Sequence, residues 1–290
     1  MRLVKLVHTP LFALAIILGL VACTRPTETP ETHAPQPANT LDCLTFNIRY
    51  ANANDGEDRW ARRKEFVRDT IRDSAPDVLA IQEALAHQID WLLEALPHYE
   101  KVGSHRGGGR EDEFCGLLVD RRKLRVIERG EFWLSETPNA PGSIGWDAAC
   151  TRMCVWARVA DELGHEILVL GTHLDHRGAK AREESAKRLV ERVSVSDLPV
   201  VLMGDLNAGE DSLCLELLRS SGLRSAYRAV RPDEREVGTF NGFRNRRDGP
   251  KIDYVLISKH FSVLESEIDR RMRDGRTPSD HFPVSARLAW

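Results

Sequence analysis

The amino-acid sequence predicts an α+β protein, a four-layer α/β/β/α sandwich of two mostly antiparallel sheets with helices outside. Apolar runs of strand length fall in two groups with helical stretches interspersed, and the strict strand–helix alternation of a parallel barrel is missing. No repeat of fixed period appears, and the roughly 250 residues left after an N-terminal leader and linker fit a single sandwich domain.

Residues 41–48 form an apolar run that predicts a strand ending at Asn47. Over 60–73 the chain is dense in Arg, Lys and Glu, with Phe66, Val67 and Ile71 at helical spacing. This is an amphipathic helix that Pro76 stops. A strand over 77–82 then delivers Glu83 at its end, and 87–96 forms a second helix. Residues 103–112, with three consecutive glycines, form a flexible loop between strands. Residues 114–119, 124–134, 152–159 and 166–170 read as antiparallel strands. A charged helix over 179–193, a strand over 199–203 and a helix over 212–220 follow, and strands over 252–257 and 282–288 close the domain.

The chain has 290 residues, 42% hydrophobic and 29% charged, with a formal net charge of -3. These are ordinary globular values, and no global positive field exists to hold a polyanion without sequence preference. A DNA coat or packaging role is thereby disfavoured, whereas an enzyme acting locally on a phosphoester is not.

Residues 1–22 read as a leader, with Arg2 and Lys5 before an apolar stretch over 11–20 that is too short for a comfortable membrane span. Leu20-Val21-Ala22-Cys23 resembles the lipobox of bacterial lipoproteins, which implies lipidation of Cys23 and a membrane anchor. Thr24 stands where an aspartate would signal inner-membrane retention. The expected location is therefore the cell envelope, at the outer membrane facing the periplasm. Residues 23–40, rich in Pro and Thr with few apolar side chains, are expected to be a disordered tether, and 41–290 the folded domain.

Five further cysteines, Cys43, Cys115, Cys150, Cys154 and Cys214, allow at most two disulfides. Cys150 and Cys154 are close enough to bridge a bend or to stay as small buried thiols, and the sequence leaves both open. Their spacing is not that of a zinc site.

Short polar clusters sit at the ends of the apolar runs. They are Thr45-Phe46-Asn47-Ile48-Arg49, Ile81-Gln82-Glu83, Gly171-Thr172-His173-Leu174-Asp175, Gly204-Asp205-Leu206-Asn207, Ile252-Asp253-Tyr254 and Ser279-Asp280-His281-Phe282-Pro283. Residues two apart on a strand share a face, so His173 with Asp175, and Asp205 with Asn207, are each expected to present a polar pair to one place. Singly such clusters read as turn formers. Together, in this order, they resemble the endonuclease/exonuclease/phosphatase family, also called deoxyribonuclease-I-like, over about 42–290.

The resemblance implies a divalent-metal-dependent phosphoesterase acting by in-line attack of an activated water. Neutralising an anionic phosphoester calls for a hard cation, so Mg2+ or Mn2+ is expected, with Glu83 as principal ligand beside Asn47 and Asp280. Asp205 would activate the water, and Asn207 would hold it or a phosphate oxygen. His281 would contact phosphoryl oxygens, with Asp253 on its other ring nitrogen. His173 would bind phosphate or act as general acid, and Glu113 would support that histidine. Arg152 would reach a substrate phosphate or be a surface arginine on a strand, and Asp175 would bind substrate or a second metal, or merely cap a turn. The glycine loop with Arg106 and Arg110 either closes over a phosphate through backbone N–H groups or is a plain hairpin connection, the simpler reading. Substrate is not legible, because loops rather than the core set it. A nuclease acting on DNA or RNA is one alternative, and a catalytically inactive surface binding lipoprotein another. No protein partner is expected, and the chain is expected to be a monomer.

Overall fold

The computed structural model describes residues 39–290. The expected leader, Cys23 and most of the tether lie outside them. The domain opens at Thr40, one residue before the sequence reading placed it.

The first group of elements is β1 (Thr40–Asn47), α1 (Trp60–Ser74), β2 (Val78–Ala84), α2 (Ala86–Ala95), β3 (Tyr99–His105) and β4 (Phe114–Asp120). The second is β5 (Arg125–Trp133), β6 (Met153–Ala160), β7 (Glu166–His173), α3 (Ala179–Ser194), β8 (Val200–Asp205) and α4 (Leu213–Ser220). The chain ends with β9 (Arg224–Ser225), α5 (Ala226–Val230), β10 (Asp253–Ile257), β11 (Ser262–Ile268) and β12 (Val284–Ala289). They build two six-stranded sheets, ordered β11-β12-β1-β2-β4-β3 and β5-β6-β7-β8-β10-β9. Pairing is antiparallel except at β1–β2 and β7–β8.

Alternation along the strands makes the four layers. In β1, Leu41 and Cys43 face the second sheet, while Leu44 and Phe46 face outward against Val67 and Ile71 of α1. In β8, Val201 and Met203 point inward while Val200 and Leu202 pack against Leu189 of α3 and Leu215 of α4. Each helix is held by its apolar stripe against a sheet rather than by propensity. One charged residue of α1, Arg63, is itself buried; it donates to the carbonyls of Ile48 (2.5 Å), Asp58 (2.8 Å), Arg49 (2.9 Å) and Pro278 (3.2 Å).

Four elements escape the sequence pattern. β11 carries glutamates at an edge and buries only Ser266 and Ile268, so its alternation is faint. β9 and α5 are too short to register. β3 extends to His105, so the glycine loop begins three residues later than expected. All five described cysteines are free thiols, including Cys150 and Cys154.

Gly204 marks a close approach between strands. It pairs with Thr172 across β7–β8, and a Cβ there would stand 2.0 Å from the Thr172 carbonyl oxygen. Gly204→Ala is therefore expected to force the strands apart at a cost of about 3 kcal/mol. Chemical denaturation measures this, and a variant as stable as the parent would show that the contact is not limiting.

Candidate active site

The site grows out of strand register. β7 and β8 run parallel and pair His173 with Asp205, while β10 runs antiparallel to β8 and pairs Asp253 with Asp205. His173, Asp205 and Asp253 thus lie side by side across three adjacent strands, each about 4.8 Å from the next strand. Each also continues the inward parity of its strand: Asp205 follows Val201 and Met203, His173 follows Ile167 and Val169, and Asp253 precedes Val255 and Ile257. On the other sheet Asn47 follows Leu41 and Cys43 in the same way. The polar ends therefore converge at one rim between the sheets.

His281, from the loop before β12, completes the row. Its Nδ1 donates to Asp253 Oδ2 at 2.9 Å, and its Nε2 stands 3.8 Å from Asp205 Oδ2. His173 Nε2 approaches the same Asp205 oxygen at 3.4 Å. All four residues are at most 5% exposed, so their charges must be settled among themselves. Burial pushes the Asp205 carboxyl up, and the Asp253 charge adds to this against the opposing charge of His281. Burial alone would discharge His281, but Asp253, Asp205 and Asp280 outweigh it and hold the imidazolium well above its usual range. His173 is driven the other way by burial and by Arg152 and Arg106, so it is neutral near pH 7.

Glu83 stands beside this row through a backbone irregularity. The β2–β4 register shifts between Ile81 and Ala84, and Glu83 has φ +64°, a conformation unusual for a side-chain-bearing residue. Its carboxylate accepts from Asn47 Nδ2 (3.0 Å) and Tyr50 N (3.1 Å). Asn47 Nδ2 also donates to Asp205 Oδ2 (3.1 Å), and its Oδ1 accepts from Arg49 N (3.0 Å), so Asn47 orients both carboxylates. Asp280 accepts from the Ser279 hydroxyl at 3.2 Å. Burial raises its carboxyl, and the Glu83 charge raises it further while His281 and Arg49 offset only part. Glu83 and Asp280 both line the cavity, and two carboxylates offering oxygen donors only suit a hard divalent cation. Asp205, Asp253 and His281 also offer ligand atoms within 4.8 Å of one another. The protonated imidazole has no lone pair to give, so this group suits hydrogen bonding better than cation binding.

A cavity of about 770 Å3 opens onto these groups, lined by both sheets and their loops. Asn207 lines it, but the strand has ended: φ is +46°, its backbone N–H caps Asp205 Oδ1 (2.9 Å), and its Nδ2 donates to the Leu174 carbonyl (3.0 Å). Asp175 corrects the expectation of substrate contact. Past the end of β7 its carboxylate turns away from the cavity and accepts from the backbone N–H groups of Gly178 (2.7 Å), Arg177 (2.9 Å) and Ala149 (3.0 Å). Those bonds hold its pKa down to about 2 despite the opposing effect of burial. Cys150 and His176 offer ligand atoms near Asp175, whose oxygens accept backbone N–H groups and lie 3.6 Å from Arg152 Nε. Glu113 lines the cavity but bonds Arg106 (2.8 Å) and not His173; burial pushes its carboxyl up to about 7 against the Arg106 charge. Arg152 lines the wall with Nη2 3.2 Å from His176 Nδ1. Arg110 pairs at the surface with Asp90.

Arg49, Tyr50 and Phe240 are among the lining residues that carried no role from the sequence. Arg49 and Tyr50 follow the Asn47 strand, where a charged residue reads as surface. Phe240 lies in a long connection without predicted structure, yet its ring packs 5.1 Å from that of His281.

Comparison with known proteins agrees with this geometry. The Endonuclease/Exonuclease/phosphatase family model matches residues 44–281. An endonuclease/exonuclease/phosphatase family protein from Bacteroides thetaiotaomicron is 32% identical, with TM-score 0.80 over 87% of this chain and 98% of that chain. The mannosyl-6-phosphatase of the same organism is 32% identical, with TM-score 0.78 over 86% of this chain and 100% of that chain. The human Nocturnin catalytic domain, at 18% identity, shares the fold with TM-score 0.68 over 88% of this chain and 99% of that chain. No curated protein matches the sequence. The family match spans most of the described domain and ends on His281, so the chain belongs to the endonuclease/exonuclease/phosphatase family and is a phosphoester hydrolase.

Proposed function

We propose that the protein is a Mg2+-dependent (or Mn2+-dependent) phosphoesterase that acts, as a monomer, on a small phosphorylated substrate of the sugar-phosphate type. The observation that carries the reading is Asp205, buried between His173 and the His281–Asp253 pair on the wall of the cavity. The net charge of -3 supports a small substrate over a nucleic acid, and the 32% identity to a mannosyl-6-phosphatase supports a sugar as the alcohol component.

Glu83 and Asp280 would hold the cation, with Asn47 fixing Glu83. Bound there, a divalent ion neutralises charge on the phosphoryl oxygens. Asp205 orients the attacking water and takes its proton, helped by a carboxyl that burial has made more basic than usual. The charged His281 donates from Nε2 to a phosphoryl oxygen, while Asp253 on Nδ1 keeps it charged and fixes the ring. Neutral His173 offers Nε2 as a further hydrogen-bonding group beside the reacting centre. Asn207 holds the Asp205 loop through its backbone and the Leu174 carbonyl. Arg152, backed by His176, adds positive charge to the wall, and Glu113 fixes Arg106 there. The Cys23 lipid anchor and the Pro/Thr-rich segment would hold this domain at the cell envelope, on the periplasmic side of the outer membrane.

Removing divalent ions should abolish hydrolysis of p-nitrophenyl phosphate and bis-p-nitrophenyl phosphate, and Mg2+ should restore it. Glu83→Ala should stay folded and inactive; a fully active variant sinks the reading. Asp253→Asn removes the charge that keeps His281 protonated. Its active, charged form is then lost at lower pH, so the alkaline limb of kcat/KM moves down and the rate at neutral pH falls about 100-fold. An unmoved limb would mean that Asp253 does not hold His281 charged. Cys23→Ser should shift the protein from the membrane to the soluble fraction, which cell fractionation reads directly.

A further inference from the structure

Arg49 is held more firmly than a loop residue needs to be. It follows β1 with φ +58°, a conformation that disfavours any side chain and persists only where surroundings impose it. Its N–H donates to Asn47 Oδ1 (3.0 Å), and its carbonyl accepts from Arg63 Nη2 (2.9 Å) and Gln88 Nε2 (3.0 Å). Its guanidinium is then pinned as a fork: Nε donates to Asp55 Oδ2 and Nη2 to Asp55 Oδ1, each at 3.2 Å. Asp55 belongs to the turn before α1, closed by Asp58 N donating to its carbonyl at 2.8 Å.

This fork leaves Nη1 without an acceptor among the described residues, on a side chain 29% exposed that lines the catalytic cavity. Nε lies 3.7 Å from Asp280 Oδ2, which sets the guanidinium beside the residues that would hold the cation. The group stays charged, because Asp55, Asp280 and Glu83 outweigh the effect of its burial. A purely structural pair would not require a place on the cavity wall, and the backbone here is already tied by Arg63.

A phosphomonoester and a phosphodiester ask different things of such a nitrogen. Near neutral pH the monoester is a dianion with three non-bridging oxygens; the diester is a monoanion with two, and a second ester group takes the third position. The cation end and His281 account for two oxygens. A donor aimed at the third is satisfied by a monoester and left facing carbon by a diester, a loss that a half-buried charged group feels strongly.

We infer that Arg49, forked on Asp55, is a specificity-determining residue that reads the third phosphoryl oxygen and makes this site select phosphomonoesters over phosphodiesters. The inference rests on the phosphoester-hydrolase reading and names the substrate class of that same site.

The test compares p-nitrophenyl phosphate with methyl p-nitrophenyl phosphate in Mg2+, for the full domain and for Arg49→Gln. The parent should prefer the monoester, and the variant should lower the monoester-to-diester ratio of kcat/KM about 10- to 100-fold. Arg49→Lys should recover part of the ratio through its charge, and it carries the comparison if Arg49→Gln does not fold. Asp55→Asn, which loosens the fork, should fall between Arg49→Gln and the parent. Calorimetric binding of methyl phosphate against dimethyl phosphate gives a second readout that needs no turnover. Tighter methyl phosphate binding, lost in Arg49→Gln, supports the inference even if neither ester is hydrolysed, in which case the phosphoesterase reading alone has failed. A parent that binds and turns over the diester as well as the monoester, or a variant that loses both equally, overturns it.

Discussion

Two carboxylates, Asp205 and Asp253, are buried a strand's width apart, and a single imidazolium makes that arrangement tolerable. Without His281 the pair would have to neutralise one member by taking up a proton. With it, Asp253 Oδ2 keeps a hydrogen bond at 2.9 Å, while Asp205 accepts from Asn207 N (2.9 Å) and Asn47 Nδ2 (3.1 Å) and lies near both histidines. Neutral His173 on the other flank adds no compensating charge and so leaves the basicity of Asp205 intact.

The sandwich can hold such a cluster because inward parity is apolar along most of each strand and turns polar only at the rim. The same alternation that fills the inter-sheet core with Val201, Met203, Val255 and Ile257 carries Asp205 and Asp253 to its edge. Gly204 lets β7 and β8 come close enough for His173 and Asp205 to meet, and the irregularity of β2 turns Glu83 toward them from the opposite sheet. Every departure from regular backbone at the site, at Glu83, Arg49 and Asn207, sits just at or beyond a strand end.

Much of this was legible in the sequence because a polar residue closing an apolar run is a local signal. Asn47, Glu83, His173, Asp205 and Asp253 all carry it. What escaped depends on geometry that parity does not reach. The two-residue rule fails at Asp175 because the chain has left the strand and the carboxylate caps the turn into α3. Arg49 and Arg63 look like solvated charge in a segment dense with it; only the fold shows one lining the cavity and the other buried under four carbonyls. The edge strand β11 was hidden by its glutamates, which one-sided burial tolerates.

The site takes Asn47, Glu83 and Asp280 from the first sheet and the loop feeding it, and His173, Asp205 and Asp253 from the second. Neither sheet holds a complete set, so the reacting groups exist as a unit only while the two layers stay docked. Catalytic competence and native cohesion therefore form one cooperative property. A fluctuation that slides one sheet over the other dismantles the chemistry before any strand has melted, and a methyl group removed deep in the interface can be felt at the rim without touching it.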